Sequence, residues 1–367
     1  MQWPLNVPVL ADGVVTLRAH TPDDLDRMLE MARDPDMVRW TAVAKPHDRA
    51  MSEQFALEII PAGWNDGSML AWAIEVEGQY AGNVDIRGAG PVVDIGFALH
   101  PDCRGHGVMK RAVALAVDHA FTERGKEVIH WRAQVGNLES LRVAHACGFE
   151  LHGTVPGMLY ERERVLDAWT GSIRFGDAPV PRTTWRWTTL ETPDFRLRPL
   201  EPKDDPRIRE ALDDELSRRW LFARPDPFTL EHAAAERTKK WWNAAIGEAC
   251  TWAVVDKETD DLLADVTLLA IDEVTGAEVG YWSHPEARGR GVLKQALPAV
   301  IEHALDRNGL DLRRLTLYAA ASNQGSNALA LGAGFRQFGV QTLAARTDGV
   351  FEDLIGYEFL RRGEVPE

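Results

Sequence analysis

The sequence predicts an α/β (α+β) protein built from two tandem copies of one domain. Three observations carry this. The chain has 367 residues, too many for one ordinary hydrophobic core and suited to two. The halves also repeat one another: "VTLRAHTPDDLDRM" from Val15 matches "FRLRPLEPKDDPRI" from Phe195, and "VDIGFALHPDCRGHGVM" from Val93 matches "AEVGYWSHPEARGRGVL" from Ala277. "GNLESLRVAHACGF" from Gly136 likewise matches "SNQGSNALALGAGF" from Ser322. Within each half, stretches of apolar period two and of period 3.6 follow in the same order. The repeat sets the expected boundaries at 1–176 for the first copy, 177–187 for a linker and 188–367 for the second. The linker region "FGDAPVPRTTWRW" has two prolines and little periodicity.

Each copy opens with an extended segment and a polar helical region rich in Asp and Arg. Alternating strands follow, such as Ala71 to Val76, with a hairpin turn at Glu77-Gly78. Next come an apolar strand, an Arg-Gly-x-Gly turn, a helix, a strand ("VIHWRAQV"; "RLTLYAA"), a second helix and terminal strands. In copy two the helix after the turn places Leu293, Ala296, Leu297, Val300, Ile301, Ala304 and Leu305 on one face, as a helix against a sheet requires. Gly125 and Gly309 fall where a left-handed C-terminal cap belongs. Pro298 inside the helix is expected to remove one backbone bond and kink it.

Composition excludes several classes. No apolar run approaches the roughly 20 residues that span a bilayer, and the N-terminus lacks the basic and apolar regions of a signal peptide. Cys103, Cys147 and Cys250 are far apart, with no CxxC spacing for a disulfide framework or a thiolate metal site. A cytoplasmic protein is expected. The net charge of −15 opposes binding to nucleic acid or anionic membrane. It suits cationic substrates such as amines, and equally serves plain solubility.

The repeated turn carries the chemistry. A glycine-rich turn between strand and helix lets backbone N–H groups close around an anion, and the arginine suits a phosphate by charge and fork geometry. A tight turn with a solvated arginine is the plainer reading. Against it, each turn follows His-Pro-acid (His100-Pro101-Asp102; His284-Pro285-Glu286) and precedes Asn-x-x-Ser (Asn137 and Ser140; Asn323 and Ser326) and then Gly-Phe. A dinucleotide fold would need a third glycine, which neither copy has.

These residues resemble the GNAT superfamily of acetyl-CoA-dependent N-acetyltransferases over essentially the whole chain, once per half. The family turn that wraps the CoA pyrophosphate is matched by Arg104, Gly105, His106, Gly107, Val108 and Met109, and by Arg288, Gly289, Arg290, Gly291, Val292 and Leu293. Met109 and Leu293 depart from the family's small final residue, a departure tolerated in the RimJ/RimL-like N-terminal acetyltransferases, which also carry the Asn-x-x-Ser and Gly-Phe signature. The tyrosine that many other members use as an acid is absent, the positions being Ala144 and Ala330.

The resemblance implies a mixed, mostly antiparallel, splayed sheet flanked by helices in each domain. It implies acetyl-CoA as acyl donor with no metal, and backbone at Phe97, Ala98 and Leu99, and at Tyr281, Trp282 and Ser283, that pairs with pantetheine and offers an N–H to the oxyanion. Asp94 and Glu278 match the acid some members use as a base through water; a solvent-facing strand position is the alternative. Ser140 and Ser326 match the donor to the thiolate, or are first-turn serines behind an Asn N-cap. Asn137 and Asn323 cap the helix and bind pantetheine. His100, His106 and His284 read as bystanders. The acceptor is a primary amine on a peptide N-terminus, aminoglycoside, polyamine or amino acid, chosen by segments near 36–68 and 216–248. The tryptophans of "RTKKWWNAAIGEACTW" wall that cleft or belong to the core. Two alternatives stand beside catalysis by acetyl transfer: an acyl-CoA sensor or scaffold without turnover in one or both halves, and another donor such as succinyl-CoA. The halves are expected to pack as an internal pseudo-dimer in a monomeric chain.

Overall fold

The period-two stretches of each half become strands, and the strands of each half join into one eight-stranded sheet. The computed structural model describes residues 6–185, 188–221 and 224–361. In the N-terminal unit the strands are β1 (Leu10–Ala11), β2 (Thr16–Arg18), β3 (Met69–Val76), β4 (Gln79–Arg87), β5 (Val92–Leu99), β6 (Val128–Gln134), β7 (Glu150–Glu161) and β8 (Arg164–Arg174). They lie in the order β1-β2-β3-β4-β5-β6-β8-β7, and only β5 and β6 are parallel. The C-terminal unit repeats this with β9 (Leu190–Glu191), β10 (Phe195–Arg198), β11 (Cys250–Asp256), β12 (Leu262–Asp272), β13 (Gly276–Ser283), β14 (Arg314–Ala320), β15 (Arg336–Thr347) and β16 (Val350–Leu360), with β13 and β14 the parallel pair.

Helices cover both faces. The first unit has α1 (Leu25–Arg33), α2 (Pro35–Trp40), α3 (Arg49–Gln54), α4 (Ile60–Asp66), α5 (Val108–Thr122) and α6 (Leu138–Ala146). The second has α7 (Asp205–Asp213), α8 (Glu215–Trp220), α9 (Leu230–Ala245), α10 (Val292–Leu305) and α11 (Gln324–Gly332). In the second unit Leu297, Val300 and Ile301 of α10 pack on Val266, Leu268 and Val279 of the sheet, while Ile208 and Leu212 of α7 and Ala233 of α9 pack with Val255 and Trp282 on the other face. Each such large side chain contributes about 1.5–3 kcal/mol when fully buried. Of the sequence-predicted stripe on α10, all but Leu293 are fully buried; Leu293 is half-buried against the same core. Trp241 and Trp252 are also core, with indole N–H groups donating to Leu200 O at 3.0 Å and Thr188 O at 2.8 Å.

Three local expectations meet different outcomes. The hairpin at Glu77-Gly78 forms with both residues at positive φ, 51° and 78°, which suits the right-handed strand twist. Gly125 is left-handed at φ 60°, as a cap requires, but Gly309 is not: a Cβ there would fall 2.0 Å from His303 O, so its glycine permits a close backbone approach. Helix α10 continues through Pro298, which is exposed and, having no N–H, leaves the Lys294 carbonyl without its intrahelical bond.

The chain divides between Arg182 and Thr183, inside the stretch expected to be linker. The first part of that stretch is tied to the N-terminal unit, because Arg182 Nε donates to Gly148 O at 3.2 Å and its guanidinium pairs with Asp177 and Glu150. Arg186 and Trp187 at the end of the linker, the outer ends of both expected domains and residues 222–223 of the expected acceptor segment lie outside the described residues. Among the described residues no helix is long and apolar enough to cross a membrane.

Candidate active site

Each site begins at a gap in the sheet. Strand β5 pairs with β4 from Asp94 to Leu99, but with β6 only at Val92, Val93 and Asp94. Likewise β13 pairs with β14 only at Ala277 and Glu278. Beyond those residues the strands splay. His100 N donates to Ala81 O at 2.8 Å and His284 N to Leu263 O at 2.8 Å, both on the side away from the gap. Successive backbone groups alternate in direction along a strand, so the N–H groups of Phe97 and Leu99, and of Tyr281 and Ser283, point into the gap. Ala98 and Trp282 point theirs the other way.

The turn at the end of the gap is built on left-handed glycines: Gly105 and Gly107 have φ 81° and 73°, and Gly289 and Gly291 have φ 75° and 74°. Gly107 and Gly291 are the N-caps of α5 and α10, so the first amides of those helices, from Val108 and Val292 onward, have no partner within the helix. They form an anion-binding end, strengthened by the helix dipole. Met109 is buried beneath the turn and Leu293 half-buried, so the bulky residues that depart from the family pattern pack inward and leave the turn open. His106 and Arg290 are exposed on the turn.

The turn arginines each pair with an N-cap aspartate. Arg104 pairs with Asp34 Oδ2 at 2.7 Å and Asp36 at 3.2 Å and donates to Leu99 O at 3.2 Å. Arg288 pairs with Asp214 and donates to Ser217 Oγ at 3.1 Å. Sequence reasoning sets these guanidinium groups on phosphate; in the structure Arg104 ties the strand end, and Arg288 the turn, to the N-caps of α2 and α8. Burial opposes the charge on Asp34, yet hydrogen bonds from Arg104 and the Met37 amide outweigh it and hold the carboxyl below its ordinary value. For Asp214 the Arg288 hydrogen bond is the larger effect and lowers it likewise. The signal was present in the repeat, since both aspartates stand at matching positions before a short helix. Arg104→Ala and Arg288→Ala are expected to lower stability by about 1 kcal/mol each, read by urea denaturation, while CoA still binds at both units in calorimetry.

The helix that follows the splayed strands brings the serines in. Asn137 Oδ1 accepts from Ser140 N at 3.2 Å and Asn323 Oδ1 from Ser326 N at 3.1 Å, so both asparagines are N-caps. The hydroxyls differ in their partners: Ser140 Oγ accepts from Trp131 Nε1 at 3.0 Å, and Ser326 Oγ lies 2.8 Å from the Tyr281 hydroxyl.

Alternation places Asp94 and Glu278 on the sheet face opposite Phe97 and Tyr281. The two acids have unlike surroundings. Asp94 is paired with Arg132 at 2.8 Å and lies across from Arg87, whose own charge is favoured first by Asp85 and also by Asp94. Glu278 lies between Leu269 and Thr316, and burial alone pushes its carboxyl up. Sequence reasoning missed Arg87 and Arg132, which have no counterpart in copy two, where Leu269 and Tyr318 stand at those positions.

The histidines before each turn are buried in polar networks. His100 bonds Asp102 at 2.6 Å and Glu30 at 3.3 Å; His284 bonds Glu210 at 3.3 Å and accepts at Nδ1 from Arg207 and the Glu286 amide.

The family model for the acetyltransferase (GNAT) domain matches residues 15–150 and again residues 194–336. The chain belongs to the GNAT acetyltransferase family. It is therefore an enzyme family member carrying two such domains in tandem, and its relatives are of the RimJ/RimL-like type. The Bacillus subtilis (strain 168) protein named "Putative ribosomal N-acetyltransferase YdaF" is 28% identical over 175 residues, 45% of this chain and 91% of that protein. The ribosomal-protein-serine acetyltransferase of Escherichia coli (strain K12) is 30% identical over 96 residues, 26% of this chain and 52% of that protein. Among solved structures, the ribosomal-protein-S5-alanine acetyltransferase of Vibrio fischeri is 20% identical, covering 49% of this chain and all (100%) of that one, with a TM-score of 0.44.

Proposed function

We propose that the chain binds one acetyl-CoA at each unit and transfers the acetyl group to a primary amine, with the C-terminal unit better equipped for the chemistry. The carrying observation is the splayed gap, with strand amides facing into it, flanked by an acid on one sheet face and a capped serine on the other. The pyrophosphate fits the turn at Gly289–Gly291 and the α10 N-terminus, and the pantetheine fits the gap beside β13.

In this reading Glu278, through a water, takes a proton from the acceptor ammonium, the neutral nitrogen attacks the thioester carbonyl carbon, and the nitrogen's second departing proton passes to the sulfur or to solvent as the tetrahedral intermediate collapses. The backbone N–H of Tyr281 or Ser283 stabilises the oxyanion. The C–S bond breaks, and Ser326 donates a hydrogen bond to the departing thiolate. Asp94, already matched by Arg132 and close to Arg87, is less available as a base, so the N-terminal unit binds CoA with slower chemistry. The acceptor is a peptide N-terminus, as the names of the relatives suggest, or a small amine.

The test is free-thiol release from acetyl-CoA and succinyl-CoA across peptides, aminoglycosides, polyamines and amino acids, with mass spectrometry of the product. Tight CoA binding without thiol release from any pair would instead support a sensor. Ser326→Ala is expected to slow turnover by about 10²-fold with little change in CoA affinity, because its hydrogen bond strengthens as charge develops on sulfur. Ser140→Ala is expected to do the same for the slower unit. Wild-type turnover in the double variant would leave water as the acid.

A further inference from the structure

The two serines occupy the same place in the repeat, yet each is held by a different aromatic residue from a different strand. In the N-terminal unit the partner is Trp131 on β6, and Phe97 on β5 has no hydroxyl. In the C-terminal unit the partner is Tyr281 on β13, at the position of Phe97, while the position of Trp131 is Leu317. The exchange extends one strand further. Trp131 faces Gly171 on β8, where a Cβ would lie 3.4 Å from the indole ring, whereas Leu317 faces Tyr357 on β16. Large and small residues have traded places across the sheet, and the contact to the serine has been kept by another route.

Chemistry fixes the direction of that contact in one unit. An indole N–H only donates, so Ser140 Oγ must accept, and its own proton is left for a different acceptor. In the other unit the phenol is the stronger donor of the two hydroxyls. Burial pushes Tyr281 up to about 12, so it keeps its proton across the neutral range.

We propose that Trp131 and Tyr281 are positioning residues that occupy a lone pair of Ser140 and Ser326 and thereby turn each serine proton toward the CoA sulfur. This rests on the acetyl-transfer reading above. A hydroxyl that rotates freely spends part of its time aimed away from the thiolate; one held by a fixed donor is preorganised for it. Neither aromatic residue exchanges a proton with substrate.

The repeat supplies its own rescue experiment, made in the full-length chain. To read the N-terminal unit, the C-terminal turn is disabled by Gly291→Val; Trp131→Phe is then expected to lower kcat about tenfold with KM for acetyl-CoA unchanged. Adding Phe97→Tyr, which copies the other unit's arrangement, is expected to restore most of the loss. With the N-terminal turn disabled by Gly107→Val, Tyr281→Phe is expected to lower kcat similarly, and Leu317→Trp with Tyr357→Gly to restore it. Trp131→Phe should cost nothing further in a Ser140→Ala background. A loss of melting temperature with unchanged kcat would overturn the proposal, as would equal losses with and without Ser140. If no amine supports thiol release in the parent chain, the acetyl-transfer reading fails and this one with it. The contact itself is read independently by the Trp131 indole N–H resonance, which should move in Ser140→Ala; a resonance that stays put overturns the positioning role alone.

Discussion

Glu278→Gln is expected to lower turnover by about 10²-fold or more, the range typical of a lost general base, and to leave CoA affinity unchanged. Asp94→Asn is expected to do far less. The difference follows from what faces each acid. Glu278 sees Leu269 on β12 and Thr316 on β14; beyond Thr316 comes Glu358 on β16, which is already bonded by Arg314 and Arg336. No cation lies against it among the described residues, and burial raises its pKa above the ordinary 4.5. The rate should therefore rise with pH through that raised value, a limb that Glu278→Gln removes. Stability gives the opposite sign. Between 4.5 and the raised value the folded chain holds a proton that the unfolded chain releases, so stability falls as pH rises through that window. At neutral pH the wild type bears the full cost and the Gln variant does not. A variant that is slower yet melts no lower marks a functional carboxylate; wild-type turnover would remove Glu278 from the mechanism.

What the sequence disclosed and what it hid divide along a physical line. The turn, the Asn cap and the strand order are local: they depend on φ values, spacing and short-range hydrogen bonds, and the repeat states each of them twice. Partners brought together by tertiary packing were harder to read, and only the repeated aspartates hinted at one of them. Arg104 meets Asp34 across 70 positions, and Trp131 meets Ser140 only because β6 and α6 pack side by side. Arg87 and Arg132 surround Asp94 from two neighbouring strands, a relation that register sets and composition does not show. Gly309 misled for a related reason. Glycine is equally required by a left-handed φ and by a near backbone, and only the position of His303 O tells them apart.

Gly107→Val and Gly291→Val are each expected to remove one CoA site and leave the other. At φ 73° and 74° these residues hold a conformation that costs a residue with a Cβ about 1–2 kcal/mol, and a β-branched one more. Space is not the obstacle, since a Cβ at either position would meet nothing within 4 Å. The backbone is, and relaxing it rotates the amides that face the pyrophosphate and shifts the start of the helix. Calorimetry with CoA should therefore give a stoichiometry near two for the parent chain, near one for each single variant and no measurable binding for the double. Asparagine tolerates the left-handed region through local hydrogen bonding, so the order of remaining affinity should be Gly, then Asn, then Ala, then Val. A purely structural turn predicts a different pattern, with melting temperature falling in that order while two sites persist. Because each unit folds around its own sheet, loss at one turn should leave the thermogram of the other unit unchanged, and a stoichiometry of two in either valine variant would detach the turn from CoA altogether.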